Sequence, residues 1–343
     1  MSSDTYLNWI AEKTKTTWWN DSADPAELQL ALDRGAVGAT TNPFLSSVAF
    51  FKNRERWSGE INSVLARRLG VEHQAEELMR LVITRAATMY RPVYDKTNGI
   101  AGLVCAQINP SRAGERESMM AMARRFHSWA PNISVKLPAV SAGLDVLEDC
   151  IAEGISVTAT VSFTVPQVVA TAERCRAGRR RAIQSGIKPG QCHAVIMIGR
   201  LDDYLREVAL DNKTPVSESD IRQSGLAVTK RAYQIYQERG YESVLMIAAL
   251  RGSYHLTELA GASLVMTMTP AAQRWFVEED HHREERIGKE IAPDVIERLS
   301  IMPEFVKAYE PDGMKPCDFI SYGATQRTLC QYIEAGWRLL ENV

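Results

Sequence analysis

Eight short runs rich in β-branched and small apolar residues recur along this chain with helical patterns between them, and that alternation admits few folds. The runs fall at 16–20, 37–41, 101–108, 133–137, 155–161, 193–198, 243–249 and 263–268. Each is nearly continuous in apolar character, the signature of a strand buried on both faces. Between the first two, DPAELQLALDRG (24–35) has Asp24 as a cap, Pro25 at the first helical position, a leucine face and Gly35 as a stop. The stretches 71–90, 141–154 and 220–240 have the same build, with Ser141 and Gly154 framing the second of these as cap and stop. Strands alternating with helices make a parallel sheet, and eight of them over about 260 residues predict a (β/α)8, or TIM, barrel. A doubly wound sheet is the competing layout. It favours a glycine-rich phosphate loop after the first strand, and neither GxGxxG nor GxxxxGK[ST] occurs; Asp21 and Ser22 follow instead. The chain 1–343 is therefore expected to be one domain, with a barrel over about 16–275 and a helical tail over about 276–343 packed across it.

Forty basic and 42 acidic residues leave a formal net charge of −2, so no general attraction to nucleic acid is expected. The cluster RAGRRR (176–181) has no interleaved aromatics and is expected to be a solvated face. No apolar stretch has the length of a membrane span. The N-terminus lacks a basic start followed by an apolar core, so no signal peptide is expected. Six scattered cysteines without a CxxC pair fit reduced thiols and a cytoplasmic location. The six histidines show no metal-ligand spacing, and the adjacent His281 and His282 are expected on a solvated face.

In a barrel, the C-terminal ends of the strands carry the active site. Polar residues gather there: Asp21 after the first strand, Thr41 and Asn42 at the second, Gln107 and Asn109 at the third. Lys136 lies near the end of the fourth, Thr158, Thr160 and Ser162 along the fifth, Arg200 past the sixth and Arg251 past the seventh. Lys136, inside NISVKLPAV (132–140), is the sharpest exception, since lysine is rarely buried. A lysine amine is nucleophilic only when neutral, and apolar surroundings favour that form. Such an amine forms an imine with a ketone, and the protonated imine is an electron sink. The competing role is an ion pair with Asp21, and the strand pattern alone favours neither. Asp21 suits proton transfer from a substrate hydroxyl or, equally, a turn. Asn42, held extended before Pro43, suits a sugar hydroxyl or a simple turn. Gln107 and Thr160 suit a bound water or bonding between strands. Arg200 and Arg251 suit an anion or rim salt bridges.

These segments together resemble the transaldolases. NDSADPAELQLALDRGAVGATTNPFL (20–45) is similar to the signature with an aspartate on the first strand and a GATTNP-type second strand. ISVKLPAVSAGLDVLEDCIAEGISVTATVSF (133–163) is similar to the segment with the Schiff-base lysine, and IMIGRLDDY (196–204) and YESVLMIAALRG (241–252) to the phosphate-arginine strands. The resemblance implies that Lys136 forms the imine and that Asp21 is the acid/base. It implies that Asn42 and Thr158 contact a dihydroxyacetone unit, Thr160 helps hold the catalytic water, and Arg200 and Arg251 bind the acceptor's phosphate. It also implies carbohydrate metabolism such as the pentose phosphate pathway, a small ketose or sugar-phosphate substrate, no cofactor or metal, and a possible homodimer. Four positions depart from the pattern. Gln107 stands where classical transaldolases have a glutamate, as in the related fructose-6-phosphate aldolases. Met197 stands where those aldolases have a tyrosine, and Val195 and Ala249 replace serines. The expected activity is transfer of a dihydroxyacetone unit from a ketose to an aldehyde. The alternatives are an aldolase releasing dihydroxyacetone and an inactive sugar-phosphate-binding barrel.

Overall fold

A computed structural model describes residues 5–343. Eight parallel strands close into a barrel in chain order: β1 (Thr17–Asp21), β2 (Ala39–Thr40), β3 (Val104–Gln107), β4 (Ile133–Pro138), β5 (Ser156–Thr160), β6 (Cys192–Met197), β7 (Val244–Ala248) and β8 (Val265–Met268). Closure comes from β1 pairing with β8, Thr17 opposite Val265 through Asn20 opposite Met268. The expected (β/α)8 barrel is the observed fold.

Local chemistry sets the boundaries. Asp24 caps the helix Pro25–Asp33 by accepting from the Ala26 and Glu27 amides. β2 is shorter than expected because Asn42 leaves the strand to cap Pro43–Lys52, its side chain accepting from the Leu45 amide. Asp21 is the last residue of β1 rather than a residue beyond it. The helix expected over 71–90 runs on as Val71–Lys96, through Pro92. The proline and Thr88, whose carbonyl it leaves unbonded, both face solvent, so water satisfies the loss. Ser141 opens its helix as the first helical residue, with Val140 before it as the cap and no capping side chain. Gly154 does end that region, at φ +82.

Alternation along the strands sorts side chains between two cores. Val135 and Leu137 of β4 point out to the helices, and Ser134 and Lys136 point into the barrel. Trp19 fills the barrel floor, its ring 4.8 Å from that of His193. Gly38 is required beside it, because a Cβ there would lie 2.5 Å from the Trp19 ring and 2.9 Å from the Leu103 carbonyl. Trp18 faces the outer core and is fully buried.

After β8 come helices Pro270–Glu278, Pro293–Leu299, Pro303–Tyr309 and Gly323–Tyr332, then a wide turn Ile333–Trp337 and Arg338–Glu341. The wide turn lies against the start of Pro43–Lys52, close enough that a Cβ on Gly336 would sit 2.7 Å from the Phe44 nitrogen. That docking brings Gln331 and Tyr332 to the barrel mouth. Two surface expectations are refined. Arg176 and Arg181 lie on an ion-paired face with Glu242, Glu148 and Asp149. His282 is exposed, but His281 packs between the rings of Tyr6 and Phe276 and bonds the Trp275 carbonyl, so it is not a solvated residue. Among the described residues no helix is long and apolar enough to cross a membrane.

Gly38→Ala is expected to overpack the barrel floor and cost about 1–3 kcal/mol. A lower urea midpoint with an unchanged m-value checks it; an unchanged midpoint refutes the packing argument.

Candidate active site

The mouth of the barrel encloses a cavity of about 210 Å³ lined by Asp21, Asn42, Lys136, Thr160, Arg200 and Arg251, among others. Six side chains expected from sequence thus meet at one place, drawn from six loops and strand ends by the inward turn of alternate residues. Gln107 lies directly opposite Lys136 in the register of β3 and β4.

Lys136 is 6% exposed, and its Nζ donates to the main-chain carbonyl of Thr41 at 3.3 Å. Among the described residues it forms no ion pair; Asp21 takes its hydrogen bond from Thr40 instead. The alternative of a Lys136–Asp21 salt bridge is therefore absent from this structure. A buried amine bonded to a neutral carbonyl keeps no counterion fixed on it, and it faces the cavity.

Asp21 accepts from Thr40 Oγ1 at 2.7 Å, and the Thr40 hydroxyl is in turn in close contact with that of Thr267. Burial pushes the Asp21 carboxyl above its ordinary range, while Lys136, Thr40 and Arg200 oppose that rise. A carboxylate with a raised affinity for protons is suited to taking one from a substrate hydroxyl and returning it.

Two polar atoms beside the lysine have no partner in the protein: Gln107 Oε1 and Thr160 Oγ1, with Ser162 Oγ just beyond them. Buried polar atoms are almost always satisfied, so an unpartnered pair beside a cavity marks a place for water or ligand. Thr158 is placed differently. Its hydroxyl lies 2.8 Å from Ser134 Oγ and takes the Cys105 thiol at 3.4 Å, below the cavity and outside its lining. Asn42 lines the cavity while its side-chain oxygen serves the helix cap, leaving its amide N–H groups for a ligand.

The arginines differ in their engagement. Arg200 Nη1 donates to Gln331 Oε1 at 2.6 Å, and its guanidinium lies 5.5 Å from the centre of the Tyr332 ring. Arg251 donates from Nε (2.9 Å) and Nη2 (2.6 Å) to one oxygen of Asp203, and from Nη1 to the carbonyls of Ala249 and Leu250. Its main-chain N–H donates to His255 Nδ1 at 3.1 Å. That leaves the His255 ring proton on Nε2, 3.0 Å from the fully buried Asp202.

The sequence reading missed Thr40, Thr267, Asp203, Gln331 and Tyr332. Thr267 had a signal, the period-two spacing of Val265 and Thr267 on β8 with Thr269 just after it. Gln331 and Tyr332 had none, because only the docking of the tail brings them to the mouth.

The Asp21 environment yields a paired prediction. Its folded-state pKa lies above the unfolded one, so ionised Asp21 costs folding energy at neutral pH. That cost vanishes below the unfolded pKa of about 3.9, where both states are protonated. Asp21→Asn is therefore expected to raise the melting temperature at pH 7, with the gain fading towards pH 3. Turnover should fall about 10²–10⁴-fold. Thermal scans across pH and initial rates check both; a melting temperature lowered at pH 7 contradicts the assignment.

Residues 18–312 match the family described as Transaldolase/Fructose-6-phosphate aldolase. The chain is 29% identical to a transaldolase of Thermobifida fusca over 215 residues, 61% of this chain and 58% of that protein. It is 28% identical to transaldolase 1 of Streptomyces avermitilis over 215 residues, 61% of this chain and 56% of that one. A transaldolase of Acidothermus cellulolyticus matches at 28% over 232 residues, 64% of this chain and 62% of that one. The matched stretch thus spans less than two thirds of these relatives' length. With a match across most of its residues, on a closed eight-stranded barrel, the chain belongs to the transaldolase/fructose-6-phosphate aldolase family.

Proposed function

We propose that this protein transfers a dihydroxyacetone unit from a ketose to an aldehyde through a Schiff base on Lys136. The observation that carries this reading is the Lys136 amine, facing the cavity and bonded to a carbonyl rather than to a carboxylate. The amine adds to the ketose carbonyl carbon, and loss of water gives a protonated imine. Asp21 removes the proton of the hydroxyl one carbon beyond the bond to be broken. The carbon–carbon pair of electrons flows into the imine, leaving an enamine on Lys136 and releasing the first aldehyde. The enamine carbon then attacks a second aldehyde, Asp21 returns the proton to the new alkoxide, and water hydrolyses the imine. Gln107 Oε1 and Thr160 Oγ1, the unpartnered atoms, are the groups that would hold water for the imine steps. Asn42 offers its amide to the dihydroxyacetone hydroxyls. Thr158, already bonded to Ser134, acts by holding the floor under Lys136.

A second reading is favoured by one residue. Glutamine at position 107 takes no proton, so it positions water without activating it, as in the aldolase branch of the resemblance. In that reading the enamine is protonated and dihydroxyacetone is released.

Incubation with dihydroxyacetone, borohydride reduction and peptide mapping should place a three-carbon secondary amine on Lys136. Lys136→Ala should give no adduct and no turnover; substantial activity in that variant would sink the mechanism. Supplying a ketose without acceptor then separates the readings, since rapid release of dihydroxyacetone means lyase and a single stalled turnover means transferase.

A further inference from the structure

Building on the ketose chemistry proposed above, we propose that the far end of this cavity takes an uncharged aldehyde or ketose terminus in preference to a phosphate ester. Arg251 serves as the counterion of Asp203. The pairing is part of a chain of alternating charges. Asp203 accepts from Arg251 through one oxygen and from Arg206 through the other, Arg206 pairs with Glu218, and Glu218 with Arg222. Four of the five N–H donors of the Arg251 guanidinium are engaged within the protein.

The position of Arg251 is also fixed along its length. Its stem lies against Gly199, where any Cβ would collide with Arg251 Cγ and with the Ala249 carbonyl. Its main chain is held by His255, which is held by Asp202, and Asp202 accepts from Ser224 and from the Gly225 amide as well. Turning the guanidinium to a ligand means breaking an ion pair, abandoning two carbonyls and leaving Asp203 facing the incoming anion.

The residues of β6 and β7 that line the cavity, with the residue after β7, supply no side-chain donors. They are Val195, Met197, Met246, Ala248 and Ala249, and none carries a polar side chain. Arg200 is the other arginine of the lining, and it rests on Gln331 and the Tyr332 face. A phosphate monoester carries about −1.5 to −2 at neutral pH. Arg200, Arg251 and Asp203 together offer a net single positive charge, less than an ester dianion carries, and its oxygens would lose water against the apolar β6 and β7 residues. An aldehyde ending in hydroxyl or methylene groups loses less on entry and gains apolar contact.

The test compares glyceraldehyde with glyceraldehyde 3-phosphate as acceptors, using dihydroxyacetone as donor and the full chain. Wild type is expected to show kcat/KM for the unphosphorylated acceptor equal to or above that for the phosphate. Asp203→Asn removes the competing charge while keeping the shape, and should move the ratio towards the phosphorylated acceptor by tenfold or more. Val195→Ser, which adds a hydroxyl to the wall, should move it the same way. Calorimetry with inorganic phosphate gives a readout that needs no turnover: binding to wild type should be weaker than 1 mM and tighten at least tenfold in Asp203→Asn. A wild type that prefers the phosphorylated acceptor tenfold, or binds phosphate below 0.1 mM, overturns the proposal. Failure of borohydride trapping on Lys136 would instead overturn the Schiff-base reading and leave the calorimetric result to decide this one.

Discussion

An amine enclosed in a barrel with only a main-chain carbonyl for a partner is the constraint on which the rest of this site depends. A lysine beside a carboxylate at 3 Å would be a stable ion pair, and its nitrogen lone pair would be unavailable. Here Thr40 donates to one oxygen of Asp21, and Lys136 donates to the Thr41 carbonyl. One short strand, β2, and the residue after it therefore hold the two reacting groups apart. That is why β2 ends so early. Its chain must turn into the helix capped by Asn42 at the point where the Thr41 carbonyl faces the lysine.

The same separation explains the incomplete hydrogen bonding around it. Gln107 lies opposite Lys136 on β3 and Thr160 opposite Pro138 on β5, and each keeps an unpartnered oxygen. Had these residues bonded one another, the mouth would be more stable and have no place for water. The backbone carries a related cost. Val161 and Ala249, just past β5 and β7, sit at φ +54 and +61, a region that side chains with a Cβ rarely adopt. Both directly follow a strand end, and Ala249 lines the cavity, so the strain falls on residues at the mouth.

Much of this was written locally in the sequence. Parallel strands buried on both faces are apolar throughout, so each inward polar residue stood out, and Lys136, Asp21, Asn42, Thr160 and Arg200 were legible for that reason. The helix stop at Gly154 and the cap at Asp24 were legible because each rests on neighbours a few residues away. What escaped depends on distance along the chain. Asp203 is one of two adjacent aspartates on a helix, and nothing local says that it faces an arginine 48 residues later. Gln331 reaches Arg200 across 131 residues. Thr158 alternates correctly with Thr160, yet it lies one layer lower, and periodicity alone does not give depth along a barrel axis. The long helix ran through Pro92 because its carbonyl partner faced water, a fact of placement rather than of sequence.

Arg251 illustrates how such distant contacts settle specificity. A surface arginine held by one carboxylate adapts readily, since an exposed pair contributes little and exchanges partners at small cost. Arg251 is restrained at three independent points: main chain by His255, stem by Gly199, guanidinium by Asp203. A ligand competing for the charge must therefore meet the guanidinium where Asp203 already holds it. The direction of the guanidinium is consequently a property of the barrel's β7 turn and of the helix that follows β6, fixed before substrate arrives. Discrimination at this end then follows from which termini lose least water against an apolar wall and a neutralised arginine, with no loop movement needed to enforce it.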